Sequence, residues 1–320
     1  MSLPSQPVKF FFELTFFLLV LLVPGILWGC LKNFFPAKRK SIKGQIVLIT
    51  GAARGLGREI AFRFAELGAK TVCVDVDGRG NDDTARAIRE TGGAAASYEC
   101  DVTKTENIKT LHERVRNDVG PVDVLINNAG IVWGHLYVDP AKDQFIVDQM
   151  NVNLMAQIWM NREILPSMLE RNSGHIVAIS SLSSMAGVSG FSTYTITKWG
   201  TSGMMECLHN ELKEFNSAVK TTNVLPYFVE TNPKFSAKLH LRIPELSKTA
   251  AARDIVNGIL EEKRQFSVPG YMFTLIALMR CLPDSVQTLI NNIFYVRLVP
   301  DATDQLILNK YCKNRNTERK

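Results

Sequence analysis

Residues 45–57 read QIVLITGAARGLG, and the reading of that stretch decides the fold. QIVLIT is a short apolar run rich in β-branched residues, the pattern of a buried parallel strand. After it come Ile60, Phe64 and Leu67 at helical spacing, stopped by Gly68. Strand, glycine turn and helix are the parts of a dinucleotide site. Gly51 allows the tight turn, Gly55 lets backbone approach a pyrophosphate, and Gly57 lets helix pack on strand. A lone glycine triplet is weak evidence, but a second apolar strand, residues 71–76, follows at the distance of a βαβ unit.

Working outward, the second strand carries Asp75 near its end. A carboxylate there accepts hydrogen bonds from an adenosine ribose and repels a 2′-phosphate, which favours NAD. Arg54 cuts the other way, because a cation beside the turn pairs with the 2′-phosphate of NADP. Asp77 reads as a solvated loop acid. A third strand ends in Cys100, Asp101 and Val102, where Asp101 either touches an adenine or caps the following segment. A fourth strand, residues 122–126, runs into Asn127, Asn128, Ala129 and Gly130, which can brace a turn and leave room for a flat ring.

Residues 181–198 read S-x12-Y-x3-K. Tyr194 and Lys198 are four apart, so a helix places them on one face. Ser181 follows a buried-strand pattern, residues 175–180. A phenol has a pKa of about 10, and a neighbouring ammonium is expected to lower it, making a base for proton transfer coupled to hydride transfer. Taken alone, Tyr-x-x-x-Lys is an ordinary helix-surface pair; the glycine turn upstream is what changes its meaning.

The ordered set T-G-x3-G-x-G, a strand-end Asp, N-N-A-G and S-x12-Y-x3-K resembles the short-chain dehydrogenase/reductase family over residues 43–231. The resemblance implies a single doubly wound α/β Rossmann domain on a parallel sheet. It implies that Gly51, Arg54, Gly55, Leu56, Gly57, Asp75, Asp101, Val102, Asn128, Ala129, Gly130, Val229 and Thr231 border the dinucleotide, with Tyr194 and Lys198. It assigns a catalytic tetrad of Asn153, Ser181, Tyr194 and Lys198, with Asn153 holding a water that relays the proton. Ser180, Ser183 and Ser184 crowd the same loop; the family's serine-to-tyrosine spacing selects Ser181, and Ser184 stands where the family usually has glycine. The apolar N-terminal residues 10–31, the basic cluster at Lys38, Arg39, Lys40 and Lys43 and P-Y-x-V-x-T at residues 226–231 resemble a membrane-bound branch that includes epidermal retinol dehydrogenases and lipid-droplet 17-beta-hydroxysteroid dehydrogenases. The family commonly pairs subunits through the helices carrying Asn153 and Tyr194, so a homodimer is expected.

The chain has 320 residues, 46% hydrophobic and 21% charged, with net charge +6, ordinary for one large domain with appendages. Residues 10–31 are strongly apolar, about a bilayer's length, interrupted by Glu13 and a Pro24–Gly25 break. They read as an anchor that either spans or folds back as a hairpin in one leaflet. Lys38, Arg39, Lys40 and Lys43 follow, which keeps the downstream domain on the cytosolic face of an endoplasmic reticulum membrane or lipid droplet. No basic stripe with interleaved aromatics points to nucleic acid. The six cysteines, scattered without C-x-x-C, read as reduced core thiols rather than a metal site. Residues 233–248 read as a lid or a loose surface segment. Residues 270–294 are apolar but broken by Pro283, reading as membrane-resting helices or a dimer contact.

These signs divide the chain into an anchor with its basic flank (1–40), a catalytic domain (41–270), an apolar C-terminal segment (271–308) and a charged tail (309–320). The expected activity is NAD(P)-dependent interconversion of a lipophilic alcohol, such as a retinol or a steroid, with its carbonyl. The alternatives are an NADP-dependent carbonyl reductase and a non-catalytic scaffold at a lipid droplet or the endoplasmic reticulum.

Overall fold

The computed structural model describes residues 6–22, 24, 38–139, 142–299 and 302–312. Two compact units emerge, Met1–Arg39 and Lys40–Lys320. In the first, helix α1 (Gln6–Phe16) runs into a π turn, Phe17–Leu22. Phe10, Phe11 and Phe12 stand exposed on it. Among the described residues no helix is long and apolar enough to cross a membrane. The rest of the expected anchor, residues 23 and 25–31 with the Gly25 of the break, lies outside the described residues, as do 313–320 of the charged tail.

The second unit is built on a seven-stranded parallel sheet. Its strands are β1 (Ile46–Thr50), β2 (Lys70–Asp75), β3 (Ala94–Glu99), β4 (Val124–Asn127), β5 (His175–Ile179), β6 (Lys220–Pro226) and β8 (Gln265–Val268), in the order β3-β2-β1-β4-β5-β6-β8. β1, β4 and β5 are buried along their whole lengths, which is why they read as continuous apolar runs rather than alternating ones.

Each sheet face carries its own core. One face packs Ile60 and Phe64 of α2 (Gly55–Glu66), Ala85 and Ile88 of α3 (Gly78–Glu90), and Ile255 and Ile259 of α9 (Lys248–Leu260). The other packs Ile108 and Leu111 of α4 (Thr105–Asp118), Met160 and Ile164 of α6 (Ala156–Glu170), and Met205 and Leu212 of α7 (Ser192–Glu214). Leu67 does not join its helix's inner face; it caps α2 and is exposed, because Gly68 at φ +83° turns the chain away beneath it. Asp77 is a helix cap as well as a solvated acid, its Oδ1 accepting from Gly80 N at 3.0 Å at the start of α3. Of the expected core thiols, Cys73 and Cys100 are buried, whereas Cys207 and Cys281 are exposed.

The sheet order reverses between β1, whose other neighbour is β2, and β4. At such a switch point the loops leaving the carboxyl ends of two neighbouring strands diverge and open a crevice. α5 (Asp143–Met150) reaches α6 through a π turn, Asn151–Met155. Beyond β6 come the short α8 (Pro233–Ser236) and β7 (Leu239–Leu241). Pro283 separates two helices as its residue type requires, α10 (Tyr271–Arg280) and α11 (Asp284–Ile293). The chain then returns as β9 (Val296–Leu298), antiparallel to β7, and ends the described part in α12 (Ala302–Cys312). Residues 233–248 are therefore held in part by the pairing of Leu239–Leu241 with Val296–Leu298.

Candidate active site

A cleft of about 1840 Å³ opens at the switch point. Gly51, Arg54, Gly55, Leu56, Gly57, Asp75, Asp101, Val102, Asn128, Ala129, Gly130, Ser181, Tyr194, Lys198, Val229 and Thr231 all line it. Asn153 is fully buried behind that lining.

The glycine turn is shaped by contact. Gly51 sits at φ +70°, and a Cβ there would come within 2.9 Å of Ala129 Cα. A Cβ on Gly57 would overlap the Gly51 carbonyl and the Asn128 amide. Gly55, at φ +59°, faces Thr231, so the turn and the loop after β6 meet across the cleft floor. Thr50 locks the turn to β4: its Oγ1 accepts from Asn128 N and Ala129 N, each at 3.0 Å. The Asn128 side chain donates to Thr50 O at 2.9 Å and Gly51 O at 3.1 Å, so it braces the turn as expected of an amide at that place.

These residues fit a dinucleotide. Arg54 is the extended N-cap of α2 and provides no side-chain cap, so the first N–H groups of that helix face the cleft beside a tight glycine turn, ready for a phosphate. At the end of β2 the Asp75 carboxylate accepts from Ala53 N at 2.9 Å and Asp77 N at 3.0 Å, which fixes it at the cleft edge. Asp101 Oδ1 accepts from Thr103 N and Thr103 Oγ1, closing the turn that leads to α4.

Opposite the turn, α7 presents Tyr194 and Lys198. Lys198 Nζ lies 5.5 Å from the Tyr194 ring centroid and donates to Ile179 O at 2.8 Å, at the end of β5. Burial pushes the Lys198 ammonium down to about 8. The phenol, which the sequence led one to expect lowered, is instead pushed up to about 12 by burial, with a hydrogen bond to Ser181 pulling the other way. Desolvation of a phenolate half-buried in the cleft wall outweighs an ammonium that stands over the ring and is tied to a carbonyl.

Ser181 opens a 3₁₀ turn, Leu182–Ser184, its Oγ accepting from Ser183 N at 3.1 Å. Ser184, in the family's glycine position, donates to Ser181 O at 2.7 Å and so tightens that turn. The Ser180 hydroxyl is already engaged, donating to Lys198 O at 3.0 Å and paired with Ser202 Oγ at 3.1 Å. Asn153 clamps the floor: Oδ1 accepts from Ile131 N and Nδ2 donates to Ile131 O, both at 2.8 Å. Both ends of the amide are thus engaged by protein, which makes its side chain a brace for the cleft floor.

Sequence reasoning passed over several contributors. Thr50 opens the motif T-G-x3-G-x-G, but the role of its hydroxyl was not read; the signal was a polar residue ending an otherwise apolar run. Gln157, one helical turn past Asn153, donates to Asn153 O at 2.8 Å inside the core. Phe191 and Tyr227, also passed over, join Phe235 and Ile243 of the expected lid and Met272 and Ile276 of the apolar C-terminal segment to form an apolar wall of the cleft.

The short chain dehydrogenase family profile matches residues 45–239. Among characterised proteins the chain is 39% identical over 254 residues to short-chain dehydrogenase/reductase family 16C member 6 of Bos taurus, covering 78% of this chain and 80% of that one. It is 36% identical to epidermal retinol dehydrogenase 2 of Mus musculus (81% and 85%) and 33% identical to 17-beta-hydroxysteroid dehydrogenase 13 of Homo sapiens (86% and 91%). Among solved structures, a short chain dehydrogenase/reductase from Burkholderia phymatum in complex with NAD shares the fold, with TM-score 0.68 and 23% identity over 75% of this chain and 94% of that one. A metagenomic short-chain oxidoreductase in complex with NADP superposes with TM-score 0.61 at 29% identity, over 71% and 98%. Profile, relatives and cleft agree: the chain belongs to the short-chain dehydrogenase/reductase family of NAD(P)-dependent oxidoreductases.

Proposed function

We propose that the protein interconverts a lipophilic alcohol, such as a retinol, a steroid or a similar lipid, with its carbonyl, using NAD. The observation that carries this reading is the meeting of the Ser181 hydroxyl, the Tyr194 phenol and the Lys198 ammonium on one cleft whose outer wall is apolar. Relatives named as retinol and 17-beta-hydroxysteroid dehydrogenases support the substrate class.

A nicotinamide ring supplies the hydride acceptor. The chain's own groups handle the proton. Ser181 holds the substrate oxygen through its hydroxyl. Tyr194 takes the alcohol proton in oxidation and returns it in reduction. The phenolate so required is opposed by burial, and the two groups placed to stabilise it are the Ser181 hydroxyl and the Lys198 ammonium. Asn153, fastened to Ile131, keeps the Gly130–Ile131 floor in place against α7. The wall of Phe191, Tyr227, Phe235 and Ile243 excludes water around the reacting carbon and receives an apolar substrate body.

Asp75 supports NAD, since a 2′-phosphate beside a fixed carboxylate is repelled. Arg54 on the same cleft is what favours the NADP reading. We further propose that the exposed phenylalanines of α1 enter one leaflet of an endoplasmic reticulum membrane or a lipid-droplet monolayer, with the catalytic unit in the cytosol, and that two chains pair through α6 and α7.

The test is turnover by purified protein with NAD or NADP against a panel of retinoids and steroids, before and after Asp75→Ala. Oxidation of at least one lipid alcohol with NAD, and a shift toward NADP in the variant, are expected. Failure with every lipid alcohol alongside oxidation of a soluble polyol overturns the substrate class.

A further inference from the structure

The last residue of α10 ties three parts of the site together. Arg280 Nη1 donates to Met185 O at 2.6 Å. The same guanidinium lies over the Trp199 ring, 4.8 Å from its centroid. Met185 closes the 3₁₀ turn that begins at Ser181, and Trp199 follows Lys198 on α7. One side chain therefore bridges the loop carrying the hydroxyl and the helix carrying the phenol and the ammonium. A guanidinium suits both contacts at once: its edge donates in plane while its face stacks on an indole.

The helix that delivers Arg280 is itself part of the cleft. Met272, Leu275, Ile276 and Met279 of α10 line it. Met272 packs with Leu182 and Leu225, and Met185 and Ile276 close the same small core. The serine turn is internally rigid, with Ser183 N and Ser184 Oγ both bonded to Ser181, so a shift at Met185 is passed on to Ser181.

We propose that Arg280 is a positioning residue: by clasping Met185 O and Trp199 it seats α10 on the serine turn and sets the Ser181 hydroxyl against the Tyr194 phenol. Turnover is then conditional on α10 being docked. The inference rests on the reading of Ser181 and Tyr194 given above.

The test compares wild type with Arg280→Met, Arg280→Lys and Ser181→Ala, each as the full chain. Two readouts are taken: hydrogen exchange of the amides of residues 182–186, and steady-state oxidation of all-trans-retinol or estradiol with NAD. Arg280→Met is expected to speed exchange in the serine turn and lower kcat by about tenfold or more, because small misplacements of reacting groups are costly. The KM for NAD is expected to stay within about twofold, since the contacts of Arg280 reach Met185 and Trp199 and not the glycine turn. Arg280→Lys, which keeps one donor and a cation over the indole, recovers part of both effects. Unchanged exchange in Arg280→Met overturns the proposal, as does a fall in kcat matched by an equal loss at the dinucleotide site. Ser181→Ala separates the two levels. If it leaves turnover intact, the site reading itself fails and takes this inference with it; if it abolishes turnover while Arg280→Met changes nothing, only the clasp fails.

Discussion

Acidification is expected to destabilise this protein through one buried imidazole. His175, at the start of β5, is fully buried. Its Nδ1 accepts from Lys40 Nζ at 2.8 Å, so the ring is neutral with its proton on Nε2. Nε2 donates to Thr222 Oγ1 at 2.8 Å, and Thr222 Oγ1 in turn donates to Lys263 O at 2.7 Å. A second proton would oppose the Lys40 ammonium head-on, and burial together with Lys40 and Lys220 holds the pKa well below its usual value. In the unfolded chain the value is about 6.5. The unfolded state therefore takes up the proton first, and stability present above pH 6.5 is lost as pH falls through that value. The slope approaches about 1.4 kcal/mol per pH unit for one proton, or about 2 kcal/mol between pH 7 and pH 5.

Denaturant unfolding of wild type and His175→Gln at both pH values measures it. The substitution lowers stability at pH 7 but removes about 2 kcal/mol of the pH dependence, while carboxylates contribute equally to both proteins. Parallel losses in the two proteins, or an imidazole pKa near 6.5 in the folded state by nuclear magnetic resonance, would refute the reasoning.

Three other outcomes follow from the site. Thr50→Val leaves the N–H groups of Asn128 and Ala129 without their acceptor, and denaturant midpoints should show a loss of about 1–3 kcal/mol. Gly57→Ala drives a methyl into the Gly51 carbonyl; a stability loss of roughly 1–3 kcal/mol and a raised KM for NAD are expected, and an unchanged KM would show the turn can open without consequence. Lys198→Met removes the cation beside the phenol and should lower kcat roughly a hundredfold to ten-thousandfold, read against pH in steady-state assays.

How far the sequence reached depends on the range of the forces involved. The strand, turn and helix of residues 45–68 were legible because backbone conformation and burial imprint locally: β-branched runs, glycines at tight turns, an apolar stripe at helical spacing. Tyr194 and Lys198 were legible as a pair because a helix fixes four-residue neighbours. Their electrostatics were not. Whether an ammonium lowers a phenol's pKa depends on how much water both groups lose and on what else the ammonium bonds, and Ile179 O comes from a strand that local pattern cannot place beside it.

The same holds elsewhere. The amide of Asn153 reads as a hydrogen-bonding group in any sequence, but only the packed fold engages it with Ile131 and so makes it a brace. Residues 239–241 gave no strand signal of their own, because their partner, residues 296–298, arrives after two helices. By itself the sequence determined the strand, glycine turn and helix of the first βαβ unit and the Tyr194–Lys198 pair, since each is set by short-range sterics and periodicity; the other groups on the cleft were named through the family resemblance of ordered motifs. Tertiary structure alone decided the pKa order of phenol and ammonium, the joining of α10 to the serine turn and the apolar wall of the cleft, because desolvation and contact are properties of what the chain brings together from a distance.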